Sequence, residues 1–196
     1  MPREKRIITA ADILTLDQFE AVRAEKRAEH ITRKKLRSFS VGPNARIYFE
    51  SWDSMWIQIQ EMLRIEKGGD EQLADEMAAY NPMIPNGEEL TATLMFEEGD
   101  PVRRAKFLAK LGGVDQHIFL SIGDEQIAAM PEQDTDRTTA SGKASAVQFL
   151  HFPMTKSQIA LWKSGDSQAM VQIMHPNYGH AAIINAESRA ELARDF

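Results

Sequence analysis

The chain has 196 residues, of which 43% are hydrophobic and 27% charged, a composition typical of a globular protein with a single domain. It contains no cysteine, which excludes disulfides, thiolate nucleophiles and cysteine-bound zinc or iron–sulfur clusters. No apolar run approaches the ~20 residues of a membrane span, and no signal-peptide pattern follows the basic start, so we expect a cytoplasmic protein without membrane contact.

The net charge of −6 is unevenly distributed along the chain. Residues 1–37 hold ten Lys or Arg against six Asp or Glu, whereas the remainder is strongly acidic. A basic arm on an acidic body either lies on that body or on a second copy in a homo-oligomer, or reaches for an acidic partner. Nucleic acid is disfavoured as that partner, because phosphate contacts need a concentrated basic surface.

The first predicted element is a helix over residues 16–37, which Thr15 and Gln18 open as a capping box. A short strand over 45–50 follows, and then a second helix that Ser51 or Asp53 can cap. This second helix has an apolar stripe at helical spacing, formed by Trp52, Met55, Trp56, Ile59, Met62 and Leu63.

The rest of the chain alternates between short helical and strand patterns. Helices are predicted at 71–80, 100–113, 155–165 and 186–196, and strands at 89–97, 117–123, 125–130, 146–152, 168–175 and 180–185. Residues 131–145 contain almost nothing to bury and are expected to form a mobile loop. We therefore predict one α+β domain over residues 1–196. It would have a mainly antiparallel, curved sheet of six or seven short strands, helices packed on one face, and a basic N-terminal helical arm over 1–37.

Two segments resemble catalytic or nucleotide-binding motifs, but neither fits. "DRTTASGKAS" has Arg137 in place of the first glycine of a phosphate-binding loop and Ala144 in place of its hydroxyl residue. In "GDSQA", Ser167 lies where a helix leads into a strand, the reverse of a nucleophile elbow. The sequence therefore names no reaction, and no cofactor is predicted.

Two histidines, His151 and His175, end predicted strands directly before a proline-containing segment. If the helix between these strands makes a right-handed crossover, the strands run parallel and both imidazoles emerge at one end of the sheet. With a nearby carboxylate they would hold a metal ion. Alternatively, each histidine closes its strand and hydrogen-bonds the backbone.

The second helix also carries a carboxylate on the side away from its apolar stripe. Glu61 lies there between Ile57 and Ile65, and Arg64 is three residues further, close enough to pair with it. Three interpretations stay open: another part of the chain such as the basic helix covers this face, a partner or ligand contacts it, or it is exposed.

Four segments, "RIYFESWDSMWIQIQEMLRIEK", "AYNPMIPNGEELTATLMFE", "SAVQFLHFP" and "HPNY", together resemble the bacterial domain-of-unknown-function 3501 family over nearly the whole chain. The positions that match the family pattern are Glu50, Gln58, Gln60, Glu61, Arg64, Tyr80, Asn81, Pro85, Glu89, His175 and Tyr178. His151 departs from the pattern, because a basic residue is expected there. The family has no established activity. Its members are typically encoded beside rubrerythrin-like di-iron proteins and iron–sulfur oxidoreductases, so the resemblance implies an accessory role in oxidative-stress defence.

The matching polar positions predict a shared cleft between the second helix and the proline-rich loop after it. The predicted ligand- or partner-binding residues are Glu50, Gln58, Glu61, Arg64, Asn81 and Glu89. Arg64 would hold an anionic group and Asn81 would supply directional hydrogen bonds, so Arg64→Ala is expected to abolish binding with little change in melting temperature.

Two functions follow from these patterns. The first is a non-catalytic accessory protein that binds a rubrerythrin-like or iron–sulfur partner, as an oligomer. The second is a small-molecule-binding protein or enzyme that uses the Glu/Arg/Asn cleft around residues 50–89.

Overall fold

The structure, a computed structural model, describes residues 5–132 and 144–196. The α-helices of this described part are α1 (Leu16–Leu36), α2 (Trp52–Glu66), α3 (Gly69–Tyr80), α4 (Pro101–Leu108), α5 (Lys156–Ser164) and α6 (Ala186–Leu192). Its strands are β1 (Ser38–Ser40), β2 (Ala45–Phe49), β3 (Glu89–Phe96), β4 (Ile118–Ile122), β5 (Glu125–Ala128), β6 (Met130–Pro131), β7 (Val147–Pro153), β8 (Ala169–His175) and β9 (Tyr178–Ile184). Most of the predicted mobile loop, residues 133–143, lies outside the described residues.

The strands form two antiparallel sheets, which confirms the predicted α+β class. Sheet A has the order β1-β2-β3-β7-β6, and sheet B has the order β5-β4-β8-β9. The prediction of one sheet with six or seven strands was too simple, because the described residues contain nine strands in two sheets. The two strands that were not predicted, β1 and β6, span only three and two residues, too few to show an alternating pattern.

The inner faces of the two sheets share one hydrophobic core. Alternate residues of β2 and β8 are buried, as expected for strands with one covered face. Ile47 and Leu94 from sheet A, with Leu120 and Val171 from sheet B, are fully buried in this core. Each such aliphatic side chain contributes about 1.5–3 kcal/mol to folding by its burial.

A second apolar cluster holds α1 and α2 on the outer face of sheet A. Phe19 of α1 packs edge-on against Trp56 of α2, with 5.9 Å between the ring centroids, and Trp52 stacks beside Trp56. Phe149 of β7 is partly buried beneath this cluster. These contacts confirm the prediction that helices pack on one face of a sheet.

The helix caps that the sequence predicted are present. Thr15, Ser51 and Asp100 each accept a hydrogen bond from the backbone N–H three residues further on. A cap of this kind stabilises a helix by about 1 kcal/mol. In the described part of the chain, no helix has both the length and the apolar character that a bilayer crossing requires.

The β7–α5–β8 unit does not form the parallel pair that a right-handed crossover would give. β7 pairs with β3 and β6 in sheet A, whereas β8 pairs with β4 and β9 in sheet B. Both edges of β7 are thus occupied, and the chain passes through α5 to the other sheet. The crossover rule applies only to strands within one sheet, so it does not place the ends of β7 and β8 together.

Candidate functional site

The predicted cleft is divided among several places in the structure. Two of its six residues, Glu50 and Gln58, line one cavity. The other four residues make their contacts elsewhere: Glu61, Arg64, Asn81 and Glu89. Each of these four makes polar contacts with other side chains or with the backbone of the chain.

Glu61 is enclosed by the basic helix α1. Its carboxylate is 15% exposed and accepts hydrogen bonds from Arg23 Nε at 2.9 Å, Arg23 Nη2 at 3.1 Å and Arg27 Nη1 at 3.0 Å. Burial alone would raise the pKa of Glu61, but the hydrogen bonds and charges of the two arginines outweigh it, so the pKa is lowered. Three interpretations were open for this face of α2: coverage by the chain itself, contact with a partner or ligand, and exposure. The structure shows that the basic helix of the same chain covers Glu61.

Arg64 lies at the outer rim of the same interface. Its Nε donates to Glu20 Oε1 of α1 at 2.6 Å, and its Nη1 is 3.9 Å from Glu61. The flanking isoleucines differ, because Ile57 is 8% exposed whereas Ile65 is 65% exposed. Arg64 does not line the cavity, so nothing in its position supports the predicted loss of ligand binding in Arg64→Ala.

Asn81 holds the N-terminal segment against the helices. Its Oδ1 accepts a hydrogen bond from the Ile8 N–H at 2.7 Å, and its Nδ2 donates to the Ile8 carbonyl at 3.0 Å. The two indole N–H groups of Trp52 and Trp56 donate to the carbonyls of Ile7 and Asp12 in the same segment. Asn81 therefore supplies the predicted directional hydrogen bonds to the chain's own backbone.

Glu89 forms a three-residue cluster at the end of sheet A. His151 Nδ1 lies 3.0 Å from Glu89 Oε2, and His151 Nε2 lies 2.9 Å from Glu132 Oε2. The hydrogen bond with Glu89 raises the pKa of His151, burial opposes this effect, and Glu132 raises the pKa further. His151 thus links β3, β7 and the residue that follows β6.

The His151 cluster is expected to make stability depend on pH. Because the folded-state pKa of His151 is raised above 6.5, the stabilisation is fully present below about pH 6.5 and is lost as pH rises through the folded-state value. At pH 6 the free energy of unfolding of the wild type should exceed that of His151→Gln by about 1 kcal/mol. This difference should shrink toward pH 9. Urea unfolding at several pH values measures it. A constant difference across this range would contradict the prediction.

His175 lies apart from His151, in sheet B. Its ring packs edge-on against His117, its Nδ1 accepts from the Asn177 N–H at 3.2 Å, and its Nε2 is 3.3 Å from the Gly112 carbonyl oxygen. These are the strand-closing backbone contacts of the alternative interpretation. Among the described residues, no group of three or more His, Cys, Asp or Glu is arranged to hold a metal ion.

A partly enclosed cavity of about 260 Å³ lies between sheet A and the helices α1 and α2. Its floor is the outer face of sheet A, and its walls are the C-terminal half of α1 and the N-terminal half of α2. The residues of the sheet that line it are Tyr48, Phe49, Thr93, Met95, Val147 and Phe149. This cavity holds the two members of the predicted cleft that lie together.

Glu50 is the acidic group of this cavity. It follows β2, and its Oε1 accepts a hydrogen bond from the Thr93 hydroxyl at 2.6 Å while its Oε2 accepts from the Ser54 hydroxyl at 2.7 Å. Among the described residues, no Lys, Arg or His lies within ion-pair distance of it. Two hydroxyl groups thus fix the orientation of a carboxylate whose charge has no basic partner there.

The C-terminal half of α1 forms a basic wall. His30, Arg33, Lys34 and Arg37 line the cavity from this side. Arg33 pairs with Asp53, and Arg37 is committed to Asp195 and Glu191. Lys34 lies over the ring of Tyr48, 4.0 Å from its centroid, which is a cation–π contact rather than an ion pair.

The remaining polar groups of the cavity are neutral. Burial lowers the pKa of His30, and the positive charges of Lys34, Arg33 and Arg27 lower it further, so the imidazole is uncharged at pH 7. Burial raises the pKa of Tyr48, so its hydroxyl stays protonated. Gln58 and Tyr80 close the cavity on the α2 side with a hydrogen bond of 3.3 Å.

The basic wall was not predicted as part of the site, although a sequence signal for it exists. His30, Arg33 or Lys34, and Arg37 recur at helical spacing and therefore share one face of α1. Tyr48 and Glu50 are two residues apart, which places them on the same face of a strand. Pairing these two faces requires knowing that α1 crosses sheet A at β2, which no local pattern shows.

Two comparisons with known proteins found relatives of this chain. Residues 7–196 match the DUF3501 family, described as a protein of unknown function. A crystal structure of a novel protein of unknown function from Burkholderia pseudomallei K96243 is 35% identical, with a TM-score of 0.89 over 96% of this chain and 98% of that chain. No curated protein matches. Because the family match covers nearly the whole chain, the protein belongs to the DUF3501 family.

Proposed function

We propose that this protein binds a small organic molecule in the cavity between α1, α2 and sheet A. The observation that carries this proposal is Glu50, a carboxylate held by two hydroxyl groups on the cavity wall with no basic partner among the described residues. A carboxylate in such a place is suited to accept hydrogen bonds from an ammonium or hydroxyl group of a ligand.

A second contact point supports a ligand of mixed charge. Lys34 lies at the basic wall and makes its described contact with the face of Tyr48 rather than with a carboxylate. An anionic group of the ligand near Lys34 would complete an ion pair, while a donor group of the same molecule reaches Glu50. Amino acids and hydroxy acids carry both kinds of group.

The size and the apolar lining limit the ligand further. A volume of about 260 Å³ is near the lower end of ligand pockets and excludes a dinucleotide. Met55, Ile57, Met83 and Phe149 supply apolar surface beside the charged groups. A compact molecule with a short apolar side chain therefore fits the cavity best.

Thermal unfolding with a panel of small amino acids and hydroxy acids tests the proposal. At a ligand concentration of 100 times Kd, binding stabilises the folded state by about 2.7 kcal/mol, which corresponds to about 5–10 °C in melting temperature. Amines without a carboxylate, and carboxylates without a donor group, should give smaller shifts. Glu50→Gln should weaken the apparent affinity for the best compound at least about tenfold, and the shift in melting temperature should be smaller accordingly.

Matched variants separate the cavity from the rest of the surface. Glu66→Gln removes an exposed carboxylate outside the cavity, and Lys35→Gln removes the exposed neighbour of Lys34. Both should respond to the ligand as the wild type does, whereas Lys34→Gln should weaken binding. If no compound shifts the melting temperature, or if Glu50→Gln binds as tightly as Glu66→Gln, the proposal is wrong.

The role implied by the family resemblance makes a different prediction. An accessory protein for a rubrerythrin-like or iron–sulfur partner should recover that partner in a pull-down from native lysate, whatever residue stands at position 50. Small-molecule binding predicts instead that Glu50→Gln changes the response to ligand and leaves the set of recovered proteins unchanged. Mass spectrometry of the recovered proteins distinguishes the two.

A further inference from the structure

Arg189 of α6 is a buried cation whose described hydrogen bonds all go to backbone carbonyls. It is 6% exposed, and its Nε donates to the Trp162 carbonyl at 2.8 Å. Its Nη2 donates to the Leu161 carbonyl at 2.6 Å, and its Nη1 donates to the Ser167 carbonyl. Leu161 and Trp162 are among the last four residues of α5, whose carbonyl oxygens lack partners within the helix. These bonds fix the position of the guanidinium but do not neutralise its charge.

In the described part of the chain, no carboxylate pairs with this charge. No Asp or Glu there lies within ion-pair distance of Arg189, and Asp166 acts on it only through the longer range of its charge. Burial lowers the pKa of Arg189, but a guanidinium stays protonated at pH 7. The carbonyls of α5 and the ring face of Trp162, 5.6 Å from Arg189 Cζ, supply only partial negative charge. A buried cation without a counter-ion is costly, so an anion at this place would stabilise the fold.

A cavity of about 210 Å³ adjoins Arg189, between the C-terminal end of α5 and α6. The described residues that line it include two cations, Arg189 and Lys163, and no Asp or Glu. Its walls are mostly small residues, which leave the space open: Gly165, Ala169, Ala186, Ala190 and Ala193. The cavity is separate from the one that contains Glu50, which lies on the outer face of sheet A.

The other polar side chains at this cavity can also donate hydrogen bonds. Ser167 and Gln168 line it beside the two cations. Lys163 is exposed, and its Nζ lies 3.4 Å from the Phe196 carbonyl oxygen and 5.9 Å from the centroid of that ring. An anionic group that enters the cavity therefore meets a buried cation, an exposed cation and two neutral donors.

We infer that this cavity binds a small anion through its carboxylate or phosphate oxygens, with Arg189 as the main contact. A guanidinium has five N–H groups, and the described bonds of Arg189 use three of them, so two remain for the oxygens of an anion. The net charge of −6 repels anions at long range, so binding depends on the local cations. The volume lies below that of ordinary ligand pockets, which favours a small anion over a nucleotide.

Thermal unfolding in inorganic phosphate and in malonate, each compared with sodium chloride at equal ionic strength, tests this inference. At least one of the two anions should bind with a dissociation constant on the order of 1 mM. At twenty times that concentration it should raise the melting temperature by roughly 4–7 °C more than sodium chloride does. The anion that gives the larger rise identifies the class of oxyanion that the cavity prefers.

Gln168→Glu places a carboxylate in the lining with nearly the same side-chain shape, and it should weaken binding of the anion at least about tenfold. Gln116→Glu is the matched control, because it makes the same charge change at an exposed position near the opposite end of sheet B. It should respond to the anion as the wild type does. Arg189→Gln should abolish the response, and Gln168→Glu, at an exposed position, stays informative if Arg189→Gln does not fold.

Two results would overturn the inference. The first is a melting temperature that neither phosphate nor malonate raises beyond the effect of sodium chloride. The second is an equal response of Gln168→Glu and Gln116→Glu to the anion, because binding would then take place elsewhere on the protein. In either case the contacts of Arg189 with the carbonyls of α5 would be its whole role.

Discussion

Arg37→Ala is expected to lower the free energy of unfolding by about 3–5 kcal/mol, a large loss for a single substitution. Arg37 is 4% exposed and pairs with Glu191 and Asp195 from the C-terminal end of the chain. Its Nε also donates to the Phe49 carbonyl at 3.0 Å, and its Nη2 donates to the Glu50 carbonyl at 2.6 Å. Removal of the guanidinium takes one donor group away from two buried carboxylates and two carbonyl oxygens.

Thermal and urea unfolding measure this loss, which corresponds to about 6–20 °C in melting temperature for a chain of this length. Arg194→Ala is the matched control. Arg194 also contacts Glu191, at 3.7 Å, but its side chain is 60% exposed, so its loss should cost under about 1 kcal/mol. If the two substitutions lower the free energy of unfolding equally, the burial of Arg37 does not determine how much it stabilises the fold.

Arg37 also shows why the local sequence predicts part of this molecule well and part of it poorly. The caps at Thr15 and Ser51 depend on residues three apart, and these were predicted because local geometry alone determines them. The carboxylate partners of Arg37 lie more than 150 positions away, where no spacing rule reaches. The same limitation applies to His151, whose carboxylate partners are Glu89 of β3 and Glu132, the residue after β6.

The candidate site was predicted in part for the same reason. The helical pattern around Glu61 indicated correctly that an unusual carboxylate is present, but it did not indicate what lies over it. Glu50 and Gln58 were grouped correctly, because a strand that leads directly into a helix keeps its last residues near the first turns of that helix. Arg64, Asn81 and Glu89 were grouped with them because they also match the family pattern, but each has partners elsewhere in the structure.

Helix α1 connects the stability of the fold to the cavity. Its N-terminal half is held on α2 by Phe19, Arg23 and Arg27, and its C-terminal half forms the basic wall with Lys34. Since Phe19 is the buried residue of α1, the ion pairs with α2 add to its attachment along the rest of the helix. A change that loosens these contacts should therefore alter the cavity without touching any residue that lines it.

Glu61→Ala tests this dependence and is expected to lower the free energy of unfolding by about 2 kcal/mol at pH 7. The variant leaves Arg23 and Arg27 without their shared carboxylate, and backbone amides in α1 should exchange with deuterium faster than in the wild type. Because the pKa of Glu61 is lowered in the folded state, its stabilisation is present above about pH 4.5 and is lost as pH falls through the folded-state value. The stability difference between wild type and variant should therefore shrink toward pH 3.

Glu20→Ala is the matched control for this prediction, because it removes another carboxylate contact between α1 and α2, the exposed pair with Arg64. That pair has side chains that are 47% and 32% exposed, so its loss should cost under about 1 kcal/mol and leave amide exchange in α1 nearly unchanged. If Glu20→Ala and Glu61→Ala have the same effect, coverage of Glu61 contributes nothing beyond a surface ion pair. If Glu61→Ala alone accelerates exchange, and at the same time weakens ligand binding at the Glu50 cavity, the arginine contacts of Glu61 hold the wall of that cavity in place.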